Sequence, residues 1–197
     1  MNGIIQLKIT LDETEPPIWR RVLVDKQTTF FELHHIIQIA MGWENCHLYE
    51  FNFNNYRIGD PDEEFVDFGF GRDKLLDASD VTLGSLITDT KEKFSYEYDF
   101  GDGWRHNIAV EKFLFRNNMI SCPTCIDGQL NCPPEDCGGV LEFYDLLDII
   151  ANKQNPERKD MLVWLGGSYD PEYFDKDEVN KELKKIAKYI NDWTEDE

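Results

Sequence analysis

The stretch YDFGDGWRH, residues 98–106, stands between two strand-like runs at 95–100 and 104–110 and constrains the fold more than any other segment. Two glycines flanking an aspartate demand a sharp reversal, so the runs form an antiparallel hairpin. Its register decides which side chains share a face, because a slip of one residue turns a whole strand over. With a three-residue turn, Gly101-Asp102-Gly103, Phe100 faces Trp104, Tyr98 faces His106 and Asp99 pairs with Arg105. With a two-residue turn at Asp102-Gly103, Asp99 faces His106, and an Asp–His pair fit for general base work results. The second register separates Tyr96, Tyr98 and Phe100 from Trp104 and Ile108, forfeiting burial at ~1.5–3 kcal/mol per large side chain. The three-residue turn is therefore expected.

Ile5, Leu7, Ile9 and Leu11 alternate with Gln6, Lys8 and Thr10, the period of a strand with one wet face. After Glu15-Pro16-Pro17, residues 18–24 resume β-rich sequence, with Val22 and Val24 opposite Arg21. Thr29 and Glu32 spell a capping box, and Leu33, Ile36, Ile37, Ala40 and Met41 recur at helical spacing until Gly42. Tyr49, Phe51 and Phe53 share a strand face before an Asn54-Asn55 turn, and residues 82–87 read as a short helical turn. Residues 60–80 are acidic and poor in aliphatics in their first half, the composition of an exposed excursion. This order predicts an α+β fold, a β-grasp-like mixed sheet covered by one helix over residues 1–115.

From residue 116 the composition turns to Cys, Pro and Gly, and three helical patterns follow. They span about 141–152, then from Asn155-Pro156 to Gly166-Gly167, then from Asp175 through Val179, Leu183, Ile186, Ile190 and Trp193. Residues 116–197 thus read as a Cys-containing loop plus helices packed on the core, one structural unit with it.

Thirty-nine acidic against 20 basic residues leave a formal charge of −19, which repels phosphate backbones, so no direct nucleic-acid partner is expected. The dense basic spots are Trp19-Arg20-Arg21 and the lysines near residue 184, the latter a solvated helix face. No apolar run approaches the ~20 residues of a membrane span. The N-terminal stretch carries no leader pattern, so a cytoplasmic protein with no membrane partner is expected.

Five segments, PPIWRRVLV, MGW followed by HLYEF, YDFGDGWRH, CPPEDCGG and YDPEYFD, occur in order along the chain. Together they resemble the plasmid Ri ORF-three-like family, some relatives of which carry resolvase labels. The resemblance implies an α+β domain of no established activity, associated with mobile elements. This chain has no serine-recombinase pattern and no helix-turn-helix, and the acidic excursion and Cys122 depart from the family pattern.

Cys122 and Cys125 form a C-x2-C knuckle, with Cys132 and Cys137 close behind; the readings are structural zinc, unliganded thiols or a disulfide. A reducing cytosol opposes the last. Cys46 reads as a small core residue. Asp99, Asp102, His106, Glu135 and Asp136 are the candidate acids and base, while Tyr98, Trp104 and His106 are placed to line a ligand pocket. No nucleophile elbow, phosphate loop or HExxH occurs. The expected function is a non-catalytic binding or adaptor module for a protein partner or small ligand. The alternative is a metal-dependent hydrolase or nuclease that uses the acidic and histidine residues.

Overall fold

The computed structural model describes residues 3–60, 74–116 and 119–195. Strands β1 (Gly3–Leu11) and β2 (Trp19–Asp25) form the first antiparallel hairpin, with Ile5 opposite Val24 and Leu7 opposite Val22. Helix α1 (Phe30–Met41) follows. Thr29 accepts from the Glu32 amide while the Glu32 carboxylate accepts from the Thr29 amide, and Gly42 closes the helix at φ 95°. The predicted capping box is thus present on both sides.

Strands β3 (Tyr49–Phe53) and β4 (Tyr56–Gly59) form the second hairpin, and β5 (Lys74–Asp77) runs parallel to β4. The excursion expected over 60–80 therefore ends in an edge strand, and its residues 61–73 lie outside the described part. A single turn, α2 (Leu83–Leu86), leads to β6 (Lys93–Tyr98) and the long β7 (Trp104–Phe115). Next comes β8 (Thr124–Gln129), which pairs with β2 inside the segment expected to be loop. Edge pairing, rather than propensity, makes TCIDGQ a strand. The chain ends in α3 (Val140–Ala151), α4 (Arg158–Trp164), α5 (Lys176–Leu183) and α6 (Ile186–Glu195). The last helical pattern, expected as one helix, breaks at Lys184-Lys185 between α5 and α6.

The protein is α+β: one eight-stranded mixed sheet, in the order β5-β4-β3-β6-β7-β1-β2-β8, with six helices among the described residues. Only the β4–β5 pairing among these is parallel. α1 packs with α5 and α6 in a helical layer, and α5 also rests on β8. The other sheet face carries Arg21, held by Glu111 at 2.7 Å and Asp127 at 3.0 Å, with Gln6 donating to Glu111. Aliphatic residues of β1 and β2, the α1 stripe and the aromatics of β3, β6 and β7 form one core. No helix among the described residues is long and apolar enough to cross a membrane.

Arg20 does not belong to a surface basic patch. It is 2% exposed, donating to the carbonyls of Ala40, Trp19 and Gln129 and lying 4.4 Å from the Phe174 ring. α1 has no basic residue in its last turn, so Arg20 supplies from β2 the cation its C-terminus attracts.

The β6–β7 hairpin differs from the expected register. Tyr98 faces Trp104, Glu97 faces Arg105 and Tyr96 faces His106, leaving a five-residue loop, 99–103. Asp99 causes the extra length: at φ 52° its Oδ1 accepts from the Gly101 amide and its carbonyl accepts from the Gly103 amide. Phe100 swings outward to 43% exposure. The shift is two residues, an even number, so Tyr96, Tyr98, Trp104 and Ile108 stay on the face burial requires, and Phe100 alone of the expected aromatic set is lost to the loop. Arg105 therefore meets Glu97, at 3.2 Å, rather than Asp99.

Candidate functional site

Three of the motif segments meet at one end of the sheet. HLYEF enters β3, the loop DFGDG joins β6 to β7, and CPPEDCGG leads into α3. Asp102 clamps the last two together: its Oδ2 accepts from the Gly138 amide at 2.9 Å. Gly139 sits at φ 93°, where a Cβ would lie 2.6 Å from the Asp102 carbonyl oxygen. Only glycine permits that approach. Asp102, a candidate acid, thus acts as a clamp.

The clamp brings His47, Asp99 and Asp136 together, one ligand atom from each within 4.8 Å of the others. His47 Nε2 lies 3.0 Å from Asp136 Oδ1 and 3.7 Å from Asp99 Oδ2. Asp99 is only 8% exposed, and its Oδ1 is occupied by the Gly101 amide, which turns Oδ2 toward the imidazole. Asp136 is exposed, at φ 54°. One imidazole nitrogen and two carboxylate oxygens from three separate segments form a donor set for a divalent cation.

Glu135, next in sequence, turns the other way. Its Oε1 accepts from the Glu44 amide at 2.6 Å and the Tyr98 hydroxyl at 3.1 Å, and Tyr98 in turn accepts from the Cys46 amide. Its Oε2 is buried without a hydrogen-bond partner. Burial pushes the Glu135 carboxyl above its usual range and the Tyr98 phenol upward as well.

Behind this surface lies a polar chain within the core. His34 Nε2 contacts Asn45 Oδ1, and its Nδ1 lies 2.7 Å from the Tyr96 hydroxyl, which also accepts from Gln38. The His34 ring stacks on Tyr49 at 3.6 Å. His106 is set deeper still, edge-on to Trp43, with Nδ1 3.4 Å from the Tyr96 carbonyl and Nε2 unpartnered. Burial lowers its pKa to about 3.

Of the five candidate acids and base, Asp99 and Asp136 converge, Glu135 adjoins them and Asp102 clamps them. His106 does not join them, because its β7 register points it into the core. Tyr98, Trp104 and His106, the residues placed to line a ligand pocket, are all fully buried in the core. Of these, Tyr98 touches the site, its hydroxyl donating to Glu135 and its ring meeting the His47 ring edge-on. His47 lies outside the sequence-predicted candidates, although three motifs each carrying one chemistry-bearing residue were a usable signal.

The four clustered thiols do not gather. Among the described residues no three of them come within the 4.8 Å that His47, Asp99 and Asp136 achieve. Cys122 sits beside Asp25 and Arg116, Cys125 is buried on β8 near Arg20, and Cys137 lies near Asp102 and Glu142. The pairing of β8 with β2 holds Cys125 at the sheet edge beside Arg20, which Cys132 also neighbours, while Cys122 and Cys137 sit among other partners. Burial pushes Cys132 and Cys137 up to about 12, the behaviour of neutral thiols. Cys46, expected in the core, is exposed.

Comparison with known proteins agrees with the motifs. The chain is 37% identical over 187 residues to the uncharacterized protein y4hQ of Sinorhizobium fredii, covering 94% of this chain and 93% of that one. Its fold is similar to the crystal structure of a protein of unknown function, MM3350, from Methanosarcina mazei Go1. There the TM-score is 0.81 and the identity 34%, over 90% of this chain and 97% of the other. With the model of the plasmid pRiA4b ORF-3-like proteins matching residues 3–178, the chain belongs to that family.

Proposed function

We propose that the protein is a non-catalytic binding module whose working surface is the notch between His47, Asp99 and Asp136, and that this notch takes a divalent cation. The carrying observation is the convergence of the three ligand atoms within 4.8 Å from segments far apart in sequence. One imidazole and two carboxylates suit a borderline ion such as Zn²⁺ or Mn²⁺, and three protein ligands leave positions open for a second molecule. The cation would neutralise carboxylates that otherwise repel each other, and it would offer a partner a Lewis-acidic contact on an acidic body. Binding needs a neutral imidazole, so affinity falls in acid.

Titration calorimetry with Mn²⁺ tests this. The expected result is one site per chain, weakened more than about tenfold in His47→Ala and in Asp136→Asn, as loss of a ligand requires. Unchanged affinity in both variants would refute it.

Glu135 favours a second reading, a metal-dependent hydrolase, because a half-buried carboxyl beside an open cation can move a proton. The −19 charge opposes a nuclease. Turnover of uncharged ester substrates that needs added Mn²⁺ and is lost in Glu135→Gln would favour the hydrolase over the module.

We also read residues 1–115 and 116–197 as one unit, a reading supported by Phe143 and Leu183 in the same core as β1 and α1. The placement of α1 across the sheet supports the β-grasp-like description. The five unpaired thiols support a cytoplasmic location.

A further inference from the structure

We propose that the cleft between α3 and α4 is a docking groove for a cationic peptide segment bearing a bulky apolar residue. This rests on the reading of the chain as a binding module and names the partner's chemistry. The cleft, about 350 Å³, is floored by Leu146 and Ile149 of α3 and Met161 and Trp164 of α4. Cys137 and the exposed carboxylates of Asp136, Glu142 and Asp145 complete its lining. Glu142, Asp145, Leu146 and Ile149 recur at helical spacing, so one face of α3 offers acids above an apolar floor. No basic side chain is among the lining residues.

The hairpin of α3 and α4 is held to the body by few side chains. Among the described residues α4 buries none, and α3 buries only Phe143 and Leu146. Leu141, Val163 and Trp164 are left exposed, Trp164 by 48%. An apolar patch rimmed by charge marks a binding surface.

Charge selects the occupant. Three carboxylates surround the floor of a body carrying −19, so a second copy would bring like charge against like. Anionic lipid headgroups are repelled for the same reason. A Lys or Arg can reach the Glu142 and Asp145 carboxylates or lie over the Trp164 ring, while a neighbouring Leu or Phe fills the space beside Met161. The size suits one large side chain and its flanking backbone.

Fluorescence anisotropy with a short dye-labelled lysine/leucine peptide tests the proposal, alongside a lysine/serine peptide of the same charge. The lysine/leucine peptide should bind in a salt-dependent way, and Trp164→Ala should weaken it about tenfold, as loss of an aromatic anchor does. Glu142→Lys with Asp145→Lys should weaken it more, whereas Glu13→Lys with Asp80→Lys, the same charge change elsewhere, should cost less than about threefold. His47→Ala removes a side chain that does not line the cleft. It should abolish Mn²⁺ uptake and leave peptide affinity intact, so cation and peptide readings fail separately. Equal binding of the lysine/serine peptide, or equal losses in the two double variants, would reduce the effect to bulk charge and overturn the proposal. Self-association of the protein that Trp164→Ala abolishes would overturn it as well.

Discussion

Replacing His106 with Gln should remove a defined part of the protein's sensitivity to acid. The His106 ring is fully buried against Trp43 and Tyr96, with one long contact from Nδ1 to the Tyr96 carbonyl and no partner for Nε2. A second ring proton would carry a buried charge that the backbone of Tyr96 and Trp104 stabilises too little to offset its desolvation, so burial lowers the pKa from 6.5 to about 3. A folded value below the unfolded one means that the unfolded chain binds more protons between these limits. Stability is therefore fully present above about pH 6.5 and is lost as pH falls toward 3. At pH 5 the unfolded ring has gained roughly 1.5 pK units of protonation free energy, about 2 kcal/mol at 1.36 kcal/mol per unit.

Urea unfolding at pH 7 and pH 5 measures it. His35, lowered to about 4, and His34 act in the same direction, while Glu135, raised by burial, acts in the opposite one. Taking the pH difference in the wild type minus that in His106→Gln cancels them all. The loss between pH 7 and pH 5 should be smaller in the variant by about 2 kcal/mol, whatever the substitution costs at pH 7. Equal losses, within about 0.5 kcal/mol, would mean that the folded protein protonates this ring as readily as the unfolded chain does, contradicting its burial.

Other perturbations reach different joints of the structure. Arg20→Met should cost about 2–4 kcal/mol by urea unfolding, since three carbonyls lose their donor and the C-terminus of α1 loses its cation. Thr29→Ala should cost about 1 kcal/mol in the same assay, because the capping box has its bonds in both directions. Gly139→Ala should cost at least about 2 kcal/mol and weaken Mn²⁺ binding in calorimetry, because the new Cβ meets the Asp102 carbonyl and displaces Asp136. Asp99→Asn should leave the circular dichroism spectrum unchanged while weakening Mn²⁺ about tenfold or more.

The sheet was legible where burial speaks through parity. Alternation placed Ile5, Leu7 and Ile9 on the core face of β1, and Tyr96, Tyr98 and Trp104 fell on the correct side, Phe100 excepted, although the turn is two residues longer than expected. Parity cannot count turn residues. Asp99 lengthens the loop through hydrogen bonds to Gly101 and Gly103, an interaction that strand patterns do not encode. β8 escaped because its strand character comes from pairing with β2. The last helical stripe continued past Lys184 without a glycine or proline to mark the break between α5 and α6.

The site was half legible. Asp99, Asp136 and Glu135 were visible as acids in tight turns, but their convergence depends on the Asp102–Gly138 clamp, a contact between residues 36 apart in sequence. His47 looked like a strand-entry residue. Cysteine spacing left zinc, free thiols and a disulfide all open, because spacing alone says nothing of the β2 pairing that fixes Cys125 at the sheet edge. Arg20 looked like surface charge because a lone cation in a strand resembles one until its carbonyl partners are known.

A crystal grown with Zn²⁺ and measured on both sides of the zinc absorption edge tests the central claim most directly. An anomalous peak is expected within roughly 2.0–2.2 Å of His47 Nε2, Asp99 Oδ2 and Asp136 Oδ1, with positions left open toward solvent. An empty notch, or zinc bound instead by Cys122, Cys125, Cys132 and Cys137, would contradict it.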